Sequence, residues 1–183
     1  MKKFRFWTAD KIVSFVAIFI SLLTLFIFIR QTNIIEQQSH LSVMPYILVE
    51  TSESGATNTF SIDLVNHGVG PAFIDRTNIR YLGRDYSMQL RDFVAQYLPG
   101  TDSVQVINYT TILKGTALRS GDAINVLTVG GGAKSYNDFL KAAKELTKDR
   151  FSYEIEYRSI YGDRWRLVSA MDAMEQLPEA LKD

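Results

Sequence analysis

The stretch Phe151–Leu167, FSYEIEYRSIYGDRWRL, alternates apolar and polar side chains, breaks at Tyr161-Gly162-Asp163 and resumes at Trp165. Such a period of two predicts a β-hairpin with Phe151, Tyr153, Ile155, Tyr157, Trp165 and Leu167 on one face and the polar residues on the other. Upstream the same period recurs. Tyr46–Glu50 reads as a first strand, Phe60–Val65 as a second, and Ser54-Gly55-Ala56 as the turn between them. Asn66-His67-Gly68-Val69-Gly70-Pro71-Ala72 then turns the chain, with Gly68 and Gly70 expected to supply positive φ. Ala72–Leu82 and the residues after Gly83-Arg84-Asp85 form a further pair, and Ser103–Leu113 and Ala123–Val129 another, joined by Arg119-Ser120-Gly121-Asp122.

Two segments change period. Ser87–Leu98 sets Leu90, Phe93, Val94, Tyr97 and Leu98 on one helical stripe and stops at Pro99-Gly100. From Ser135 to about Arg150, Tyr136, Phe139, Leu140, Ala143 and Leu146 form a second stripe, with Ser135 and Asp138 spaced as a capping box. About seven antiparallel strands with short links predict a mainly β, α+β domain: an antiparallel immunoglobulin-like β-sandwich over residues 45–170 with two helical insertions.

The N-terminal part is of another kind. Residues 12–29, IVSFVAIFISLLTLFIFI, carry no charge, and a helix of that length spans roughly 27 Å, close to the hydrocarbon thickness of a bilayer. The run is longer than a signal-peptide core and ends at Arg30-Gln31-Thr32-Asn33 without a small-x-small site, so residues 12–30 read as an uncleaved single-pass anchor. Lys2, Lys3, Arg5 and Lys11 precede it, whereas after Arg30 no Lys or Arg occurs before Arg76. That bias predicts a cytoplasmic N-terminal flank, residues 1–11, and a domain outside the cytoplasmic membrane, periplasmic in a two-membrane cell. Phe4, Phe6 and Trp7 sit where amphipathic rings anchor a span. Residues 31–44 read as a stalk that continues the helix until Pro45, and residues 171–183 as a short acidic tail.

The pairing of Leu64–Ala72, LVNHGVGPA, with Glu156–Trp165, EYRSIYGDRW, resembles a class of uncharacterised bacterial proteins with one N-terminal membrane helix and a small immunoglobulin-like β-sandwich. The likeness covers residues 12–168. Its motifs are turn and core elements, so the resemblance implies fold and membrane attachment and no activity.

Composition narrows function by exclusion. Twenty basic and twenty acidic residues balance, which argues against a nucleic-acid partner, and the absence of cysteine removes thiolate chemistry and Cys-based metal sites. Residues 1–30 nonetheless carry a net +4 and residues 31–183 a net −4. His40 and His67 are the only histidines, and with no Gly-x-Ser-x-Gly elbow a hydrolytic triad is not expected; nor is a zinc site. Val129–Ser135, VGGGAKS, departs from a phosphate-binding loop at Ala133 and Thr128 and reads as an ordinary strand-to-helix connection. Glu154 and Glu156 stand about 7 Å apart on one strand face, a spacing open to glycosidic chemistry, but with Arg158 next in the row they read as a solvated charge ladder. No catalytic residue, cofactor or metal is therefore expected.

The candidate partner surface is Arg158, Tyr161, Arg164 and Arg166, cations and an aromatic of the kind enriched in binding hot spots, with Trp165 assigned to the core. The expected role is a non-catalytic interaction module, anchored in the bilayer by residues 12–29 and serving a protein partner in a membrane or envelope assembly. Two alternatives stand beside it: a cytoplasm-facing sensor domain of a membrane effector, and an envelope hydrolase using Glu154 or Glu156. Homo-oligomerisation through the anchor is open, though no Gly-x-x-x-Gly face supports it.

Overall fold

The computed structural model describes residues 9–98, 100, 102–148, 151–170 and 177–181. Two compact units result, one ending at Ser42 and one beginning at Val43. The first is a single helix, α1, Ala9–Ser42. None of its residues is buried, and Phe15, Leu22 and Phe26 all expose more than half of their surface. It is long and apolar enough to cross a membrane. Ser21 and Thr24, two of the three polar side chains in the charge-free stretch, donate their hydroxyls to the carbonyls of Ala17 and Ile20 at 2.8 Å, so neither leaves a hydrogen-bonding group unmatched. The helix runs on through the stalk to Ser42. The flank at residues 1–8 lies outside the described residues.

The second unit holds ten strands and two helices among the described residues. In chain order they are β1 (Ile47–Ser54), β2 (Thr59–Asn66), β3 (Ala72–Tyr81), β4 (Arg84–Tyr86), α2 (Leu90–Tyr97), β5 (Gln105–Tyr109), β6 (Ala117–Leu118), β7 (Ala123–Gly130), α3 (Ala133–Lys148), β8 (Ser152–Arg158), β9 (Arg164–Ala170) and β10 (Glu179–Leu181). One antiparallel sheet runs β1-β2-β7-β5. The other runs β10-β9-β8-β3-β4, with β6 paired to the start of β3. The inward residues of both sheets and both helices join in one apolar core built on Ile47, Leu64, Ile74, Leu127, Ile155 and Leu167.

Period-two alternation explains the hairpin that dominates the larger sheet: Tyr153, Ile155 and Tyr157 of β8 and Trp165 and Leu167 of β9 are all buried, as expected. Each helix closes an edge of the core with an aromatic. Phe93 of α2 is ringed by Tyr81, Tyr86, Tyr97 and Phe151 at centroid distances of 5.4–5.7 Å, and Phe139 of α3 packs on Phe60 at 5.2 Å.

Several local expectations are corrected. The β3–β4 turn is Leu82-Gly83, both at positive φ as a two-residue hairpin requires, which leaves Arg84 and Asp85 in the returning strand rather than in the turn. Ser135 does not cap α3. The helix starts two residues earlier, and the Ser135 hydroxyl instead accepts the Gln105 N–H, while Ser103 donates to Asp138. Short strands β4, β6 and β10 take the count beyond seven. Residues 179–181, assigned to the tail, add an edge strand to β9, because Glu179, Ala180 and Leu181 find register opposite Arg166, Trp165 and Arg164. The preceding tail residues, 171–176, lie outside the described residues.

Gly68 and Gly70 are needed for a different reason than expected. Neither has positive φ. A Cβ on Gly70 would overlap the Val43 carbonyl and one on Gly68 the Met44–Tyr46 backbone, so both glycines let the turn lie directly on the first residues of the domain. Tyr46 and Met44 carbonyls accept from His67 and Val69 N–H at 2.8 and 3.1 Å. Asn66, fully buried, completes the clamp: its Oδ1 accepts from the N–H groups of Tyr46 and Gly68, and its Nδ2 donates to the carbonyls of Gly70 and Leu118. All four of its hydrogen-bonding valences are used.

Candidate functional site

The four candidate residues all lie on the β8–β9 hairpin, but the fold gives them different surroundings. Arg158 closes β8 on the outer face, where Nε donates to Asp75 at 3.2 Å and the guanidinium lies over Phe73, its centroid 5.6 Å away. Asp75 reaches it because a bulge between Ile74 and Arg76 inserts this residue into β3. Arg164 is exposed at the start of β9, directly opposite Arg158 on one side and Leu181 on the other. Tyr161 sits at the tip. There the buried Ser159 accepts N–H bonds from Tyr161 and Asp163 and donates to the Asp163 carboxylate, a side-chain brace that holds the turn while Ile160 and Tyr161 point outward, 61% and 51% exposed. Trp165 is in the core, stacked on Tyr157 at 5.7 Å.

Arg166 belongs to a separate network one layer along the sheet. It donates to Glu154 at 2.7 Å, and Arg80 approaches the other Glu154 oxygen at 3.4 Å. Arg80 also donates to Asp85 at 2.9 Å, a bond that holds the Asp85 carboxyl below its ordinary range and raises the Arg80 guanidinium. Glu154 is 6% exposed, and this corrects the solvated ladder expected of it: the arginine stems from two neighbouring strands cover the carboxylate. Register places Arg76, Glu156, Arg166 and Glu179 in one row across β3, β8, β9 and β10, signs alternating. Arg80, Asn78 and Asp85 complete this network; Arg80 and Asp85 meet across the local β3–β4 hairpin, but what brings them to Glu154 is the pairing of β3 with β8, far along the chain.

Elsewhere, His67 Nε2, in the turn after β2, meets Glu50 Oε1 of β1 at 2.6 Å, an exposed pair beside the other sheet. Among the described residues no group of three or more His, Asp or Glu side chains is placed to hold a metal ion. The glycine-rich connection before α3 packs on the Gln105 side chain at Gly131 and leaves Lys134 exposed.

These features define a long, exposed apolar helix followed by an antiparallel two-sheet β domain. Comparison with family models, with characterised proteins and with solved structures finds no match to this chain.

Proposed function

We propose that this chain is a single-pass membrane protein that displays a non-catalytic, immunoglobulin-like β-sandwich outside the cytoplasmic membrane, where it serves as an accessory interaction module of a membrane or envelope assembly. The observation that carries the reading is α1: its apolar side chains are exposed along the whole charge-free stretch, a surface that water does not tolerate and a bilayer does. Orientation follows from four basic residues ahead of the span against one, Arg30, in the 64 positions from 12 to 75. The non-catalytic reading is supported by the way the carboxylates and the imidazole are engaged. Glu154 is held between two arginines and His67 is paired with Glu50. Of the candidate surface, Tyr161 and Arg164 are exposed, Arg158 is exposed but paired with Asp75, and Arg166 is committed to Glu154.

Topology is the deciding experiment. Gly55→Cys and Lys114→Cys, each placed at an exposed position in a cysteine-free chain, are exposed to a membrane-impermeant thiol reagent. Labelling in cells whose inner membrane is intact supports the external module. Labelling only after that membrane is opened overturns the orientation and favours the cytoplasmic sensor.

A further inference from the structure

The two sheets have four outer strands, β1 and β5 in one and β10 and β4 in the other. A strand in such a position turns alternate N–H and C=O groups away from its sheet and is a template for another strand unless charge, proline or brevity guards it. Three of the four are guarded: β1 by Glu50 and Glu53, β4 by Arg84 and Asp85 and by its three-residue length, β10 by Glu179 and the same brevity. β5 is not. From Ser103 to Leu113, SVQVINYTTIL, eleven residues pass without a charge, a proline or a glycine, and residues 107–111 are all exposed. Among the described residues no strand pairs with the edge of β5 that faces away from β7.

Local structure sets the limits of this stretch. At one end Ser135 Oγ accepts the Gln105 N–H at 2.8 Å. At the other the Gln89 amide donates to the Ile112 carbonyl at 3.0 Å and accepts its N–H at 3.1 Å, standing in for a strand partner. The irregularity between these limits, a bulge at Ile107, does not close the edge: it fits over Gly130, where a Cβ would lie 2.6 Å from Ile107 Cδ1, and Ile107 remains 54% exposed. Tyr109 has the Arg91 guanidinium over its ring at 4.2 Å, and Asp92 neutralises Arg91 at 2.7 Å, so no net charge guards this side either.

The charges that bound the stretch select what pairs with it. Asp102 and Lys114, both exposed, stand six positions either side of Asn108. An antiparallel copy of the same segment centred on Asn108 sets each Asp102 beside the Lys114 of the other copy, whereas a parallel copy sets like beside like. The same register brings Ile107 opposite Tyr109 of the second copy and Val106 opposite Thr110, β-branched side chains against an aromatic and another β-branched one, which stabilise a ladder. We infer that β5 pairs with β5 of a second copy of this chain about a two-fold axis at Asn108, joining the two β1-β2-β7-β5 sheets into one. The contact is isologous and uses the unguarded edge of both copies, so assembly stops at the dimer, and the carboxylates of β1 guard the edges that remain. It engages the β domain alone and is indifferent to which side of the membrane that domain occupies.

The test uses the full chain in detergent, its mass followed by sedimentation as concentration is varied. The parent should be a dimer that dissociates on dilution. Asn108→Lys sets two ammonium groups face to face on the axis and should leave only monomer, while Thr51→Lys on the guarded strand β1 should leave the dimer unchanged; circular dichroism checks that both keep the parent fold. Asp102→Lys and Lys114→Asp should each weaken association about tenfold, because each turns two attractive contacts into repulsive ones, and the two together should restore it. Asn108→Cys should form an intermolecular disulfide under mild oxidation and Thr51→Cys should not, which tests the axis in a chain that carries no added charge. A parent that stays monomeric at every concentration overturns the proposal. A dimer indifferent to Asn108→Lys does so too, since it would place the contact in the anchor or on another edge, and so does a double variant as weak as either single one, which would mean that Asp102 and Lys114 do not meet.

Discussion

At the scale of single residues, the clamp around Val43–Tyr46 sets the sharpest demands. Gly70→Ala would drive a methyl group into backbone rather than into a flexible side chain, so the turn or the chain start must move, at a cost of about 3 kcal/mol. Gly55→Ala meets open space and should stay within about 0.5 kcal/mol of the parent. Thermal or denaturant unfolding of the full chain in detergent compares the two. Tyr153 and Tyr157 make a second, independent prediction. Burial pushes both phenols from the usual 10.0 up to about 12. The unfolded chain then gives up these protons first, so stability is intact below pH 10 and declines as pH rises toward 12, by on the order of 2–3 kcal/mol for each tyrosine. A tyrosinate absorbance titration should show these two of the nine tyrosines ionising together with loss of tertiary structure, with Tyr136, raised by its bond to Glu53, also above the ordinary range. Early ionisation of all nine while the fold persists would contradict the burial.

At the scale of elements, the ion network on the larger sheet is held by one strand register. Glu154 is buried between Arg80 and Arg166, and deleting its carboxylate takes from Arg166 the charge it faces, whereas Arg80 keeps Asp85; Glu154→Ala should cost about 3 kcal/mol. Glu156, one step along the same face and half-exposed, should cost no more than about 0.5 kcal/mol as Glu156→Ala. Equal losses at both positions, measured by equilibrium unfolding, would rule out this difference in environment. These two residues also mark the limit of what periodicity can tell. Alternation correctly placed Tyr153, Ile155, Tyr157 and Leu167 inside, because a period of two depends only on the local backbone. It could not separate Glu154 from Glu156, since Arg80 and Arg166 arrive from neighbouring strands. Ser135 and Asp138 failed for the same reason: their spacing fits a local cap, but the strand lead-in at Ser103–Gln105 captures both side chains. Chain-terminal β10 was missed because three residues carry no measurable period, and its pairing is supplied by the exposed edge of β9.

At the scale of the whole molecule, charge is distributed along the chain in a way its total hides. A zero net charge conceals a +4 N-terminal segment and a −4 remainder. Both the apolar span and this asymmetry are legible from sequence because they need no long-range contact, whereas the Glu154 network requires three strands to be brought side by side. If the basic flank sets orientation, the asymmetry itself is the determinant and can be inverted without touching the β domain. Lys2→Glu, Lys3→Glu and Arg5→Glu, combined with Gln37→Lys and Gln38→Lys after the span, reverse the sign of the difference while leaving residues 12–29 intact. In that variant the thiol at Gly55→Cys should exchange its labelling pattern for that of the opposite side of the membrane in a substantial share of molecules. Long translocated domains resist such inversion, so a mixed population is the expected result rather than a complete switch. An unchanged pattern would mean that the folded β domain, and not the flanking charge, fixes which side of the membrane it occupies.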